Sequence, residues 1–243
     1  MIPVSGDRIV FLGDSITQQQ LYTNYVESYL AARFPALKLS FWNAGWGGDT
    51  APGGVKRLER DVLALKPTLV TVCYGMNDGR YTASTPEISG AYEGGMRELL
   101  ACLKAAGCRV VVLTPGCVDY DRNPTHKVND YNRGLRVLAD IALRVAAEAG
   151  VVGYDLHKLM LEVQTRAKAA DPAFTMIPDA VHPDPAGQLV MAYALLDALG
   201  VPTRAVAVEV DVAARSAACA GGRSARMRRT PDALQVQAQL TVL

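Results

Sequence analysis

Short, nearly unbroken apolar runs alternate along this chain with longer stretches whose apolar residues recur at helical spacing. The short apolar runs at 9–12, 69–73, 109–113 and 151–154, and 38–43 with its alternation of polar and apolar residues, are bounded by turn formers, so they read as strands. Helical spacing covers 22–34, 55–65, 86–106, 128–149, 157–169 and 185–199. Stop signals follow most of these: Pro35 and Pro67 cannot continue a helix, and Gly107, Gly150 and Gly200 sit where a left-handed cap belongs. Five strands alternating with helices predict an α/β fold, a three-layer α/β/α sandwich around a parallel sheet with right-handed crossovers.

The pattern changes after residue 200. Stretches 205–212 and 234–243 look like strands, separated by an alanine-, glycine- and arginine-rich segment with no helical periodicity. The prediction is a domain over 1–200 and an extension over 201–243, in which the two outer stretches pair as a β-hairpin or stay partly disordered. Arg223, Arg226, Arg228 and Arg229 read as a solvated loop, because no aromatic or glycine-rich partner accompanies them.

Composition narrows the class. The 243 residues are half apolar, enough for one sizeable core, and a formal net charge of +1 offers no field for nucleic acid or an anionic membrane. No apolar run reaches the length of a membrane span. Residues 1–7 have neither the basic region nor the apolar core of a signal peptide, which points to the cytoplasm; a secreted protein with its signal peptide removed would read the same. Five cysteines without a Cys-x-x-Cys pair indicate neither a disulfide framework nor a zinc site.

The candidate chemistry sits where strands end. The first strand runs straight into Gly13-Asp14-Ser15, the second into Gly47-Gly48-Asp49-Thr50 and the third into Gly75-Met76-Asn77-Asp78. A fourth loop, before the last helix, holds Asp179-Ala180-Val181-His182-Pro183. In open α/β sheets the loops at the carboxyl ends of strands open into the ligand crevice. Each feature has a plain alternative: Ser15 as a helix N-cap, and the glycine and Asn-Asp segments as turns.

Together and in this order, the four segments resemble the blocks of the SGNH hydrolase superfamily, the GDSL-like lipases and acylhydrolases, over about residues 7–200. Ile16 stands where Leu would complete Gly-Asp-Ser-Leu. The resemblance implies a flavodoxin-like five-stranded sheet and a serine esterase working through an acyl-enzyme, with no cofactor and no metal. It implies Ser15 as nucleophile, His182 as general base and Asp179 as the carboxylate orienting it, with backbone N–H groups of Ser15 and Gly48 and the Asn77 side chain as the oxyanion hole. A serine hydroxyl attacks only when a positioned base takes its proton, which is the chemistry such a triad supplies. His126 and His157 are rivals for the base, but only His182 comes with an acidic partner at short fixed spacing.

The expected partner is a small-molecule ester, with the oligomeric state left open. Bulky Trp46, Met76 and Tyr81 beside the oxyanion loops are candidate walls of a pocket for short acyl groups. The long connection 115–125 is the candidate cover, and its Asp119, Asp121, Arg122 and Asn123 suit a sugar better than a lipid. Carbohydrate O-acetyl esters, simple short-chain esters and a thioesterase or lysophospholipase-like activity all fit the family. The competing classes are a metal-dependent phosphoesterase using Asp14, Asp49, Asn77, Asp78 and His182, and a non-catalytic binding module. Dinucleotide binding fails for want of Gly-x-Gly-x-x-Gly after the first strand.

Overall fold

The computed structural model describes residues 2–201 and, in the extension, residues 207–211, 214, 216–220, 222–229 and 234–240. Strands β1 (Arg8–Gly13), β2 (Ser40–Gly45), β3 (Leu69–Cys73), β4 (Arg109–Leu113) and β5 (Val152–Tyr154) form one parallel sheet in the order β2-β1-β3-β4-β5. Period-two alternation divides β1 between two cores. Ile9 and Phe11 face one layer, Val10 and Leu12 the other, and all four are essentially inaccessible. The first layer is built by α2 (Leu21–Arg33), α7 (Leu156–Ala170) and α8 (Pro185–Ala198), the second chiefly by α3 (Ala51–Asp61), α4 (Pro86–Ala105) and α6 (Tyr131–Glu148). The chain runs outward from β1 to β2 and returns to β3 on the other side, so a switch point opens at the carboxyl ends of these three strands.

Two helices differ from their predicted ranges. Helix α3 begins at Ala51 because Thr50 caps it, accepting from the Gly53 N–H at 3.2 Å, and Pro52 suits a first helical turn. The helix predicted over 128–149 begins at Tyr131 as α6, because Asp130 at φ +49° breaks the run, and Val128 closes a separate short helix, α5 (Pro124–Val128). The connection 115–125 is not a free cover. Cys117, Val118 and Asp119 are buried, and the Asp119 carboxylate accepts from Lys168 Nζ at 2.6 Å and Thr175 Oγ1 at 2.7 Å. Asp121 also pairs with Lys168, and Arg122 donates to the Ala173 carbonyl, so these groups help tie the loop down.

In the extension, the described parts of the two stretches, 207–211 and 234–240, take other partners than each other. β6 (Ala207–Asp211) pairs antiparallel with β7 (Ser216–Ala220), and β8 (Gly222–Arg229) with β9 (Leu234–Leu240). Closing a short local turn costs less chain entropy than joining two ends across the intervening segment. Arg223, Arg226, Arg228 and Arg229 therefore lie in a strand, not a loop. Among the described residues no helix is long and apolar enough to cross a membrane. Cys73, Cys108 and Cys117 are buried free thiols and Cys102 an exposed one.

Candidate active site

The nucleophile's position follows from how β1 ends. A Cβ on Gly13 would lie 2.2 Å from Thr17 Oγ1 and 2.7 Å from the Cys73 carbonyl oxygen, so only glycine lets the strand turn directly into the short helix α1 (Ser15–Gln18). Asp14, not Ser15, caps that helix, accepting from the Ile16 N–H at 2.9 Å. Ser15 is thereby left at the first helical position with its backbone N–H lacking an intrahelical partner. Its Oγ lies 2.8 Å from His182 Nε2.

The loop before α8 presents the base. Asp179 Oδ1 accepts from the backbone N–H groups of Val181 at 2.9 Å and His182 at 2.6 Å, while Oδ2 lies 2.7 Å from His182 Nδ1. This tight turn holds Ala180 at φ +76°, a strained conformation for a residue with a Cβ. Ala180 is buried and anchored at both ends, donating to the Ile177 carbonyl and accepting from the Asp119 N–H. Burial pushes the Asp179 carboxyl up, but the His182 and Val181 N–H groups and the imidazole more than offset it and leave it below the usual value. An ionised Asp179 only accepts, so His182 Nδ1 carries the proton and Nε2 is free to take the one on Ser15.

The oxyanion candidates lie on either side of Ser15 because β2 and β3 flank β1, with Gly13 in register with Gly45 and Cys73. Trp46 to Asp49 form a turn closed by the Asp49 N–H on the Trp46 carbonyl, in which Gly48 takes φ +74°. That conformation favours glycine at the third turn position. The Trp46 N–H donates to the Gly13 carbonyl at 3.0 Å and seats the turn against the nucleophile loop. Asn77 Nδ2 donates to the Asp49 carbonyl at 3.0 Å, joining the second and third loops.

The three expected pocket walls separate. Trp46 is 59% exposed on the oxyanion turn. Met76 is packed into the core, and Tyr81, half-buried, donates to Asn77 Oδ1 at 2.9 Å. Met76 borders a small crevice with Asp14 and Cys117, and the Tyr81 hydroxyl is engaged in a polar contact.

A brace invisible in the linear sequence underlies the oxyanion side. Arg57, on α3, donates to Asp49 Oδ2 at 2.7 Å, to Tyr74 Oη at 2.8 Å and to the Gly13 carbonyl at 3.1 Å, and Tyr74 donates to the same Asp49 oxygen. Asp78 Oδ1 accepts from the Ala51 N–H, and Tyr131 donates its hydroxyl to the Met76 carbonyl. Burial pushes the Asp14 and Asp78 carboxyls up to about 7, with neighbouring carboxylates adding to the effect. Nothing in the linear spacing paired Arg57 with Asp49.

The rivals are otherwise engaged. His157 Nδ1 bonds the Gly116 carbonyl and His126 stacks on Tyr81; burial holds both imidazoles below the usual histidine value. Of the carboxylates a phosphoesterase would need, Asp14 and Asp78 each accept from a backbone N–H through one oxygen, and Asp49 accepts from Arg57 and Tyr74.

A model of the GDSL-like Lipase/Acylhydrolase family matches residues 11–190. The chain belongs to that family. This GDSL-like protein is a serine ester hydrolase: the family and the Ser15–His182 contact agree. It is 27% identical over 219 residues, 81% of its length and 95% of the other's, to an acetylxylan esterase of Geobacillus stearothermophilus. The solved structure of that organism's acetylxylan esterase Axe2 aligns with 84% of this chain and 100% of its own at TM-score 0.66 and 27% identity. LAE5, an α/β hydrolase from the metagenome of Lake Arreo in Spain, aligns at TM-score 0.68 and 25% identity over 83% of this chain and 98% of its own. BT4096, a gut microbial diltiazem-metabolizing enzyme, aligns with 97% of this chain at TM-score 0.76 and 26% identity, and this chain spans 57% of its length.

Proposed function

We propose that this GDSL-like hydrolase removes short acyl groups, acetyl above all, from hydroxylated carbohydrates. The observation that carries the proposal is the relay from Ser15 Oγ through His182 to Asp179, at 2.8 and 2.7 Å. In this reading Ser15 Oγ attacks the ester carbonyl as its proton passes to His182 Nε2, and Asp179 stabilises the imidazolium. Negative charge collects on the carbonyl oxygen between the N–H groups of Ser15 and Gly48 and the Asn77 amide. Collapse expels the alcohol, which takes the proton from His182, and leaves an acyl group on Ser15. Water then attacks with His182 again as base, releasing the acid and restoring the serine.

Three observations support a short acyl group on a hydrated alcohol. The apolar crevice beneath the site, bordered by Met76, Cys117, Met160 and Met191, offers about 10 Å³, room for roughly one water. The large apolar groove of about 490 Å³ lies on α2, α7 and α8 and includes none of the proposed site residues. The His182 and Asp179 side chains are 33% and 56% exposed, leaving space for a bulky hydrated alcohol. Similarity to an acetylxylan esterase favours the same class.

The test compares kcat/KM on p-nitrophenyl esters from acetyl to decanoyl with acetate release from acetylated xylo-oligosaccharides. The expected result is an acetyl optimum and acetate release from the sugar. An optimum at octanoyl or longer overturns the short-acyl reading, and inert sugar esters overturn the carbohydrate reading.

A further inference from the structure

We propose that Tyr81 is a positioning residue for this hydrolase, its hydroxyl clamping the Asn77 side chain so that one amide N–H points at the developing oxyanion. The inference rests on the oxyanion role proposed for Asn77. The Asp49 carbonyl only accepts, so the group of Asn77 lying 3.0 Å from it is the NH2. The amide oxygen therefore faces the Tyr81 hydroxyl at 2.9 Å, and Tyr81 is the donor. Both ends of the amide plane are thus held by independent partners. Of the two Nδ2 hydrogens, one is used by Asp49, and the other enters no further hydrogen bond among the described residues. Donation into the amide oxygen also polarises the NH2, making it a better donor to an anion.

The chain is bent against its preference to bring that hydroxyl there. Arg80 and Tyr81 are consecutive non-glycine residues at φ +53° and +55°. Such conformations persist only where the surroundings over-determine them, and they concentrate at functional sites. Here the Arg80 N–H donates to the Asn77 carbonyl at 3.1 Å, and Asn129 Nδ2 donates to the Tyr81 carbonyl at 3.1 Å. The Tyr81 ring lies against His126, 5.5 Å between centroids and 26° between planes, and against Tyr131 at 5.2 Å. Tyr131 in turn donates to the carbonyl of Met76, immediately before Asn77. The reversed turn folds the tyrosine back over its own loop, so a hydroxyl four residues along the chain reaches the amide.

The experiment uses the full-length protein with Tyr81→Phe, Asn77→Ala and the double variant, assayed on p-nitrophenyl acetate and titrated with phenylboronic acid. Boron accepts the Ser15 oxygen, whose proton passes to His182, forming an anionic tetrahedral adduct. Phenylalanine keeps the ring stack and removes only the hydroxyl. Asn77→Ala is expected to lower kcat about 100-fold. Tyr81→Phe should lower it about 10-fold with KM within about twofold, weaken boronate binding in parallel, and add nothing once Asn77 is gone. Asn129→Ala, which frees the Tyr81 carbonyl and leaves the hydroxyl in place, should give a smaller kcat loss that also vanishes without Asn77. Unchanged kcat in Tyr81→Phe beside an impaired Asn77→Ala overturns the clamp alone. So does a loss confined to KM, or one that persists undiminished in the double variant. An unimpaired Asn77→Ala instead overturns the oxyanion reading on which the clamp depends.

Discussion

The two halves of the active site are held by different means. The oxyanion half grows from the ends of β2, β1 and β3 and is cross-braced by Arg57, Asp49, Tyr74, Asp78 and Tyr131. The Arg57 and Asp49 side chains in this brace are only 10% and 9% exposed. The base half is a single loop whose Asp179 and His182 stand partly in solvent, stiffened by a turn of their own and fastened beneath through Ala180 and Asp119. Preorganised donors must not move as charge develops, so they belong on a rigid buried frame. A base that shuttles a proton and admits an alcohol needs correct direction and room. With the oxyanion role proposed above, stability and catalysis are expected to be coupled on one side of Ser15 and nearly independent on the other.

The strongest test breaks the base side. His182→Ala should lower kcat by about a millionfold and Asp179→Asn by about ten-thousandfold, by analogy with other serine triads. Both should leave Tm within about 2 °C of the parent, because substitutions at half-exposed positions away from buried networks cost little stability. A fluorophosphonate should label Ser15 in the parent, as read by peptide mass mapping. His126→Ala or His157→Ala losing as much activity as His182→Ala would place the base elsewhere.

On the braced side activity and stability should fall together. Arg57→Ala leaves the buried Asp49 carboxylate without its cation and is expected to cost about 3–5 kcal/mol in urea unfolding. It should also lower kcat, since the Asp49 carbonyl positions Asn77. A variant with parent stability and turnover would show that the network is incidental.

A further expected effect is a pH dependence of stability. Burial raises the folded-state pKa of Asp14 and Asp78 from 3.8 to about 7. Between these values the folded protein retains protons that the unfolded chain has released, so stability falls as pH rises from about 4 through 7 and levels off above. Asp78→Asn removes one of these ionisations, and its Oδ2 has no hydrogen-bond partner to lose. Its Tm should exceed the parent's at pH 8 and show no such gain at pH 4. Equal Tm differences at both values would rule out ionisation of Asp78 as the source of the slope.

The central strands, the order of the site loops and the Asp179 to His182 spacing were all legible in the linear chain. A strand buried on both faces is apolar throughout, and an acid and a base three residues apart can be presented by one turn, as Asp179 and His182 are. The start of α3 was missed because Pro52, Gly53 and Gly54 look like breakers in isolation. In the fold, Thr50 caps the helix and Gly54 packs under the Tyr74 ring, where a Cβ would sit 2.6 Å from the hydroxyl oxygen. The strands β7 and β8 were missed because alanine, glycine and arginine carry little strand preference; backbone pairing reveals them.

By itself, then, the sequence determined the α/β class, the parallel sheet and which residue types end each strand, because burial and turn geometry act locally on the chain. Tertiary structure alone decided which groups meet: Ser15 with His182 from 167 residues away, Arg57 with Asp49 and Tyr74, and the direction of the Asn77 amide between Asp49 and Tyr81. Hydrogen bonds act over about 3 Å and only in particular directions, and no linear spacing encodes a distance across strands of a sheet.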